Sequence, residues 1–214
     1  MATTTFQPHG PSPLIISYRT LRRSVGLLGV LLVPVLVLGS LLLDHPPQIQ
    51  LSVSAYYYTS MRNEMEGILC AISLFLICYH GYSKLDSVIS KLAGFFCLCI
   101  AFLPTSDSTN KGDLVSTLHY ICAGIFFALL AYMSIFLFTR SSGEMTRQKI
   151  QRNKVYRVCG IVMAVSVLGI PFDEHPVIAF LKPTLLLETI ALLAFGTSWL
   201  TKGELILKDK PPQV

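Results

Sequence analysis

The 214-residue chain is predicted to be an all-α polytopic membrane protein, a six-helix transmembrane bundle with its N- and C-termini in the cytoplasm. Three observations predict this. The chain is 52% hydrophobic and only 14% charged, against about 25% charged in soluble domains, and its mean hydropathy is +0.59. The apolar residues gather in six stretches close to the ~20 residues that a spanning helix needs. The 17 Lys and Arg residues are segregated between alternate connections.

The first stretch, 25–43, is uncharged and holds Pro34, a helix-kinking residue. The second is 66–82. The third, 88–104, carries Lys91 where its long stem can snorkel to the boundary. The fourth, 114–139, is the longest and is expected to tilt. The fifth, 155–171, begins beside Arg157, and the sixth is 184–201. This divides the chain into a cytoplasmic N-terminal segment (1–24), a transmembrane domain (25–201) and a cytoplasmic tail (202–214). Residues 1–14, rich in Thr and Pro, read as a disordered lead-in. The first stretch lacks a small-residue cleavage site before Asp44, so it reads as a retained helix.

Basic residues favour the cytoplasmic side. With the N-terminus inside, all Lys and Arg except Arg62, Lys111 and Lys182 fall there. The net charge of +5 is therefore a topology signal, and no nucleic-acid partner is expected. The partners expected are membrane lipids, with homo-oligomerisation left open, and the location is a plasma or inner membrane. All six cysteines lie in apolar segments and read as small packing residues. The sequence contains no P-loop, HExxH or GxSxG motif.

Two ionisable residues stand inside apolar stretches, where they are costly and normally face a bundle interior or a cavity. His119 is five residues into the fourth stretch and Glu188 five into the sixth. Both enter from outside, so at ~1.5 Å per residue both sit about 7–8 Å below the outer boundary. Glu66 opens the second stretch from the same side, so the three side chains are expected to converge. Ser116, His119, Ala123 and Phe126 share one helical face; Thr184, Glu188, Ala191 and Phe195 share another. Glu66, Cys70, Ser73, Ile77 and His80 form a polar stripe on the second helix.

Above this layer lies the largest outer loop, 44–64. Its three consecutive tyrosines suit a headgroup-level belt, and Ser54, Tyr57, Arg62 and Asn63 are candidate ligands for an anionic headgroup. Asp107, Asp113, Asp173, Glu174 and His175 add polar groups from the other outer loops. On the inside, 140–157 is the most basic patch, a stop-transfer flank or a binder of anionic lipid.

Several segments, in order, carry a resemblance: SVSAYYYTSMRNEMEG, LAGFFCLCIAFLPT, LHYICAGIFFALLAYM and LETIALLAFGTSWLT. Over about residues 20–203 the chain resembles six-helix membrane proteins of the autophagy-modulator and post-GPI-attachment lipid-remodelling family, and related bacterial multi-pass proteins of unknown function. The resemblance implies lipid handling. It points to the outer-loop serine (Ser54), the histidine with a small residue four positions on (His119, Ala123) and the acid of the last helix (Glu188). Two departures stand out: Ala55 follows Ser54 where the family has an acid, and Leu103-Pro104-Thr105 ends the third helix. A more distant likeness to alkaline-ceramidase-type hydrolases extends only to His119.

The leading functional expectation is a protein that binds or handles a lipid or amphiphile in an outer-leaflet polar cavity. One alternative is metal- or His-assisted intramembrane hydrolysis of a lipid ester or amide, with His119, Glu188 and Glu66 as catalytic residues and a divalent metal such as zinc on His119. Another is a proton- or ion-coupled transporter or channel using the second-helix stripe. A buried pair that only fixes helix register is the structural alternative.

Overall fold

The computed structural model describes residues 13–106, 112–141, 146–172 and 181–208. These are all-helical, with no strand among them. The α-helices are α1 (Pro13–Leu43), α2 (Arg62–Cys78), α3 (Lys84–Phe102), α4 (Leu114–Tyr132), α5 (Arg147–Gly169) and α6 (Pro183–Lys202). A 3-10 turn at Ser54–Tyr58 lies in the α1–α2 connection, and α4 runs on into a π turn at Met133–Leu137. Four of these helical segments are long and apolar enough to cross a membrane: Tyr18–Leu43, Lys84–Phe102, Leu114–Leu137 and Pro183–Lys202.

Helix starts follow local chemistry, and this moves several boundaries from those expected. Ser83 and Asp86 form a reciprocal capping box, so α3 begins at Lys84 rather than near 88. That box ends the preceding connection, and α2 stops at Cys78. It spans Arg62–Cys78, four residues earlier at each end than the 66–82 stretch. Thr146 accepts from the Lys149 N–H at 3.1 Å, and α5 starts at Arg147, eight residues early. Much of the basic segment expected as a loop is therefore helix. α1 is helical from Pro13 and passes through Pro34, so part of the expected lead-in is helix too. Pro183 stands in the first turn of α6, where its missing N–H costs nothing.

The helices pack in a ring in chain order: each touches the next, and α6 closes against α1. Small residues permit this. A Cβ on Gly26 would lie 2.8 Å from the Gly196 carbonyl, and one on Gly196 would lie 2.7 Å from the Gly26 carbonyl. Gly94 sits as tightly against Ser73 and Ile77. Three side chains also join α2 to α3: the Ser73 hydroxyl donates to the Gly94 carbonyl (2.7 Å), Ser90 to Leu76 (2.6 Å) and Cys97 to Leu69 (3.3 Å). Two members of the stripe expected on α2, Ser73 and Ile77, thus lie in a packed seam against α3. The last member of the stripe, His80, lies outside the helix.

The ring has two unlike ends. One is aromatic and basic. Trp199 packs edge-on against Tyr79 (5.0 Å) and Phe138 (5.3 Å), and Phe138 against Tyr156 (5.5 Å). Residues just beyond α6 dock here instead of trailing away: Arg23 donates to the Gly203 carbonyl at 2.9 Å, and Glu204 pairs with Arg19 (3.1 Å) and Arg152 (3.8 Å). The other end carries the α1–α2 connection and the polar residues singled out above.

Candidate functional site

The 3-10 turn at Ser54–Tyr58 lies over the loop end of the ring, and its geometry places the site. A helical turn leaves its first N–H groups without partners. Here the Ala55 N–H donates to the Ser52 hydroxyl at 3.0 Å. The Val53 N–H donates to Glu188 Oε2 at 2.5 Å, and the Ser54 N–H faces the same carboxyl. Glu188 therefore caps the turn from α6. A second link is the Leu185 N–H, which donates to the Leu51 carbonyl at 3.0 Å.

His119 holds the turn from α4. Its Nδ1 lies 2.7 Å from the Leu103 carbonyl and its Nε2 3.0 Å from the Ser54 hydroxyl. The carbonyl can only accept, so Nδ1 bears the proton and Nε2 accepts from Ser54. The ring is buried at 2% exposure. Asp113 starts α4 in the right register by accepting from the Ser116 N–H at 2.8 Å.

Ser54, His119 and Glu188 line one cavity of about 50 Å³. On that measure a single water needs only about 10–15 Å³. Leu32, Leu69, Ile100, Phe126, Phe127 and Leu192 are among its other walls. The polar groups share one apolar cavity fed by α1, α2, α3, α4 and α6.

The remaining sequence candidates stand elsewhere. Glu66 does not join the cavity: it accepts from Arg62 Nε at 2.7 Å. Arg62 also donates to the Tyr57 hydroxyl at 2.5 Å and stacks 3.9 Å above that ring. Because α2 begins four residues early, Glu66 is one turn along the helix from Arg62, and the two satisfy each other. The expected convergence of three ionisable residues becomes two plus Ser54. Asn63 is exposed. Of the three tyrosines expected as a belt, Tyr56 is fully buried, while Tyr58 is half exposed and donates to the Thr105 carbonyl at 2.5 Å. Asp107, Asp173, Glu174 and His175 lie outside the described residues.

The metal expectation does not fit the donors. Among the described residues no group of three His, Cys, Asp or Glu is arranged for an ion, and a closed site needs three or more such ligands. Both nitrogens of His119 already have protein partners.

Two loop groups near the site have shifted acidities. Hydrogen bonds from the Ser40 hydroxyl and from Ser60 hold the Asp44 carboxyl below its ordinary range, and burial raises the Tyr56 phenol. Both follow from which protonation state the surroundings favour.

Sequence reasoning had no means of finding the partnership of Ser54 with His119, 65 positions apart; the family resemblance named both residues without joining them. It also missed Lys202, which reads as an ordinary flank of the last helix and is buried at 7% exposure. No protein-family model, curated protein or solved structure matches this chain.

Proposed function

We propose that the chain is a six-span membrane protein, with both termini cytoplasmic, that binds the head-proximal part of a lipid or similar amphiphile in an outer-leaflet cavity. The observation that carries the reading is the cavity itself, with Ser54, His119 and Glu188 among apolar walls. Ligand sites combine mostly apolar walls with a few fixed polar groups in this way. The volume suits an ester linkage or a few methylenes rather than a whole lipid. The sequence resemblance to lipid-remodelling proteins supports the same class of ligand.

Six crossings are favoured because α2 and α5 are interleaved with the four long apolar helices and must share their layer. Their outward faces suit lipid: Val158, Ile161, Val165 and Leu168 form an exposed apolar stripe on α5, and Leu74 is exposed on α2. The concentration of basic residues at the opposite end supports placing the cavity in the outer leaflet.

A second reading, His-assisted hydrolysis, is favoured by the Ser54–His119 hydrogen bond. The Ser54 Oγ would attack an acyl carbonyl carbon as its proton passes to His119 Nε2, with the Leu103 carbonyl holding the ring. His119 would then protonate the leaving group, and water would release the acyl chain from Ser54. Binding leads because the nearby N–H groups of Val53 and Ala55 already have partners. One missing oxyanion donor typically costs about 10²–10³ in rate.

Native mass spectrometry of the purified protein tests the binding reading. A lipid should be retained by the native chain and lost from Ala123→Trp, which fills the cavity. Equal retention by both would remove the cavity as the site. A serine-directed fluorophosphonate tests the second reading. It should label Ser54 only when His119 is present; a protein that retains lipid but resists the probe is a binder alone.

A further inference from the structure

The basic end of the bundle holds a buried cation with no anion of its own among the described residues. Lys202 ends α6 and is only 7% exposed. Among the described residues its side chain makes no hydrogen bond or ion pair. Its Nζ instead faces three aromatic rings, lying 5.0 Å from Tyr82, 5.0 Å from Phe138 and 6.0 Å from Tyr156. Among the charged groups acting on it are Arg22 from α1, Lys149 and Arg152 from α5, and the Asp86 carboxylate from α3.

That carboxylate is committed elsewhere. Asp86 accepts from the Tyr82 N–H at 2.8 Å, caps α3, and pairs with Arg140 at 3.3 Å. Glu204, another acid at this end, pairs with Arg19 and Arg152. Arg22 adds a second unmet demand: its Nε is buried without a hydrogen-bond partner, while its guanidinium lies 4.7 Å from the Tyr18 ring and 5.6 Å from the Tyr79 ring.

Cations leave water only when something replaces their hydration. Aromatic faces do so in part. They do nothing for the repulsion that Arg22, Lys149 and Arg152 exert on Lys202. A compact anion with several acceptor oxygens answers both needs. A phosphate accepts from an arginine fork and a lysine together. The site also lies at the bundle's end, level with the last turn of a spanning helix, where headgroup phosphates are found.

We propose that Lys202 and Arg22, with Lys149 and Arg152 beside them, bind the phosphate of an anionic molecule at the basic end of the bundle. The proposal does not rest on the outer cavity. It adds to the basic segment expected from the sequence a buried lysine and an arginine set among aromatic rings. The same chemistry fits a phospholipid headgroup and a free phosphate, and the experiment separates the two.

The first arm uses the intact native protein in phosphatidylcholine nanodiscs containing a minor fraction of phosphatidic acid, or of oleic acid supplying the same charge as a carboxylate. The second titrates inorganic phosphate against detergent-solubilised protein. Thermal unfolding is the readout in both. Stabilisation by phosphatidic acid but not oleic acid assigns a lipid phosphate, and stabilisation by inorganic phosphate alone assigns a free one; either supports the site. Lys202→Met and Arg22→Gln should weaken binding about tenfold or more, a change of ~1.4 kcal/mol. Arg157→Gln, which alters an exposed residue of α5, should change it less than twofold. Lys149→Gln provides a milder variant if Lys202→Met does not fold. No stabilisation in either arm, equal effects of phosphatidic and oleic acid, or equal losses in the Arg157 and Lys149 variants would overturn the proposal.

Discussion

His119 Nε2 lies 3.0 Å from the Ser54 hydroxyl while its Nδ1 lies 2.7 Å from the Leu103 carbonyl, so one imidazole ties the Ser54–Tyr58 turn to α4 and to the end of α3. Replacing His119 with Phe leaves a buried carbonyl and a hydroxyl without a partner. Stability should fall by about 1–3 kcal/mol, read as a lower thermal midpoint. Ser54→Ala removes only one bond and should cost about 0.5–1.5 kcal/mol. Equal costs for the two would show that the Leu103 link carries no weight.

The α1–α6 seam depends on reciprocal glycines. Each Cβ would meet the carbonyl of the facing glycine at under 3.0 Å, a contact that only helix separation relieves. Gly26→Val or Gly196→Val should lower stability by about 1–3 kcal/mol. Gly67 is the control, because a Cβ there would meet nothing within 4 Å. Gly67→Ala should be neutral, or stabilising by about 0.5–1 kcal/mol through helix propensity. Detergent-phase thermal unfolding of the three variants checks the order.

The second-helix stripe should behave as a seam and not as a proton path. Ser73 is fully buried and donates to the Gly94 carbonyl. Ser73→Ala should reduce stability by about 0.5–1.5 kcal/mol and leave proton flux into liposomes unchanged. A flux that depends on Ser73 would revive the transport reading.

Asp44 anchors the start of the outer connection: its Oδ1 accepts from the Ser60 N–H at 3.1 Å, and the Ser40 hydroxyl donates to its Oδ2. Its folded-state pKa is lowered by these bonds. The stabilisation is therefore present above the unfolded carboxyl's value and is lost as pH falls through the lower folded value. Hydrogen-exchange protection in the segment 44–60, taken relative to the intrinsic rate at each pH, should be high at neutral pH and fall in strong acid. Asp44→Asn should show the lower protection already at neutral pH and flatten the pH response.

What the sequence made legible was the periodic part. Each apolar stretch marked a helix, four of them long and apolar enough to cross a membrane, and counting residues along the fourth and sixth stretches put His119 and Glu188 at one level. Side-chain and loop geometry was harder to foresee. The capping box at Ser83 and Asp86 set the start of α3, and the earlier start of α2 at Arg62 put Glu66 one turn from Arg62, as its partner rather than a cavity residue. The 3-10 turn that presents Ser54 has no strong sequence signal, so the Ser54–His119 bond was invisible as a bond. Lys202 was misread because a lysine at the end of a spanning helix ordinarily reaches water, and only the packing of Tyr82, Phe138 and Tyr156 around it shows otherwise.

The central claim is that the cavity at Ser54, His119 and Glu188 receives part of an amphiphile. Photocrosslinking with a diazirine-bearing phospholipid, followed by mapping of the labelled residues, tests it most directly. Labels are predicted on the cavity walls, at Phe127 and Leu192, and should disappear in Ala123→Trp. Labels confined to the outward stripe of Val158, Ile161, Val165 and Leu168, and unchanged by Ala123→Trp, would contradict it.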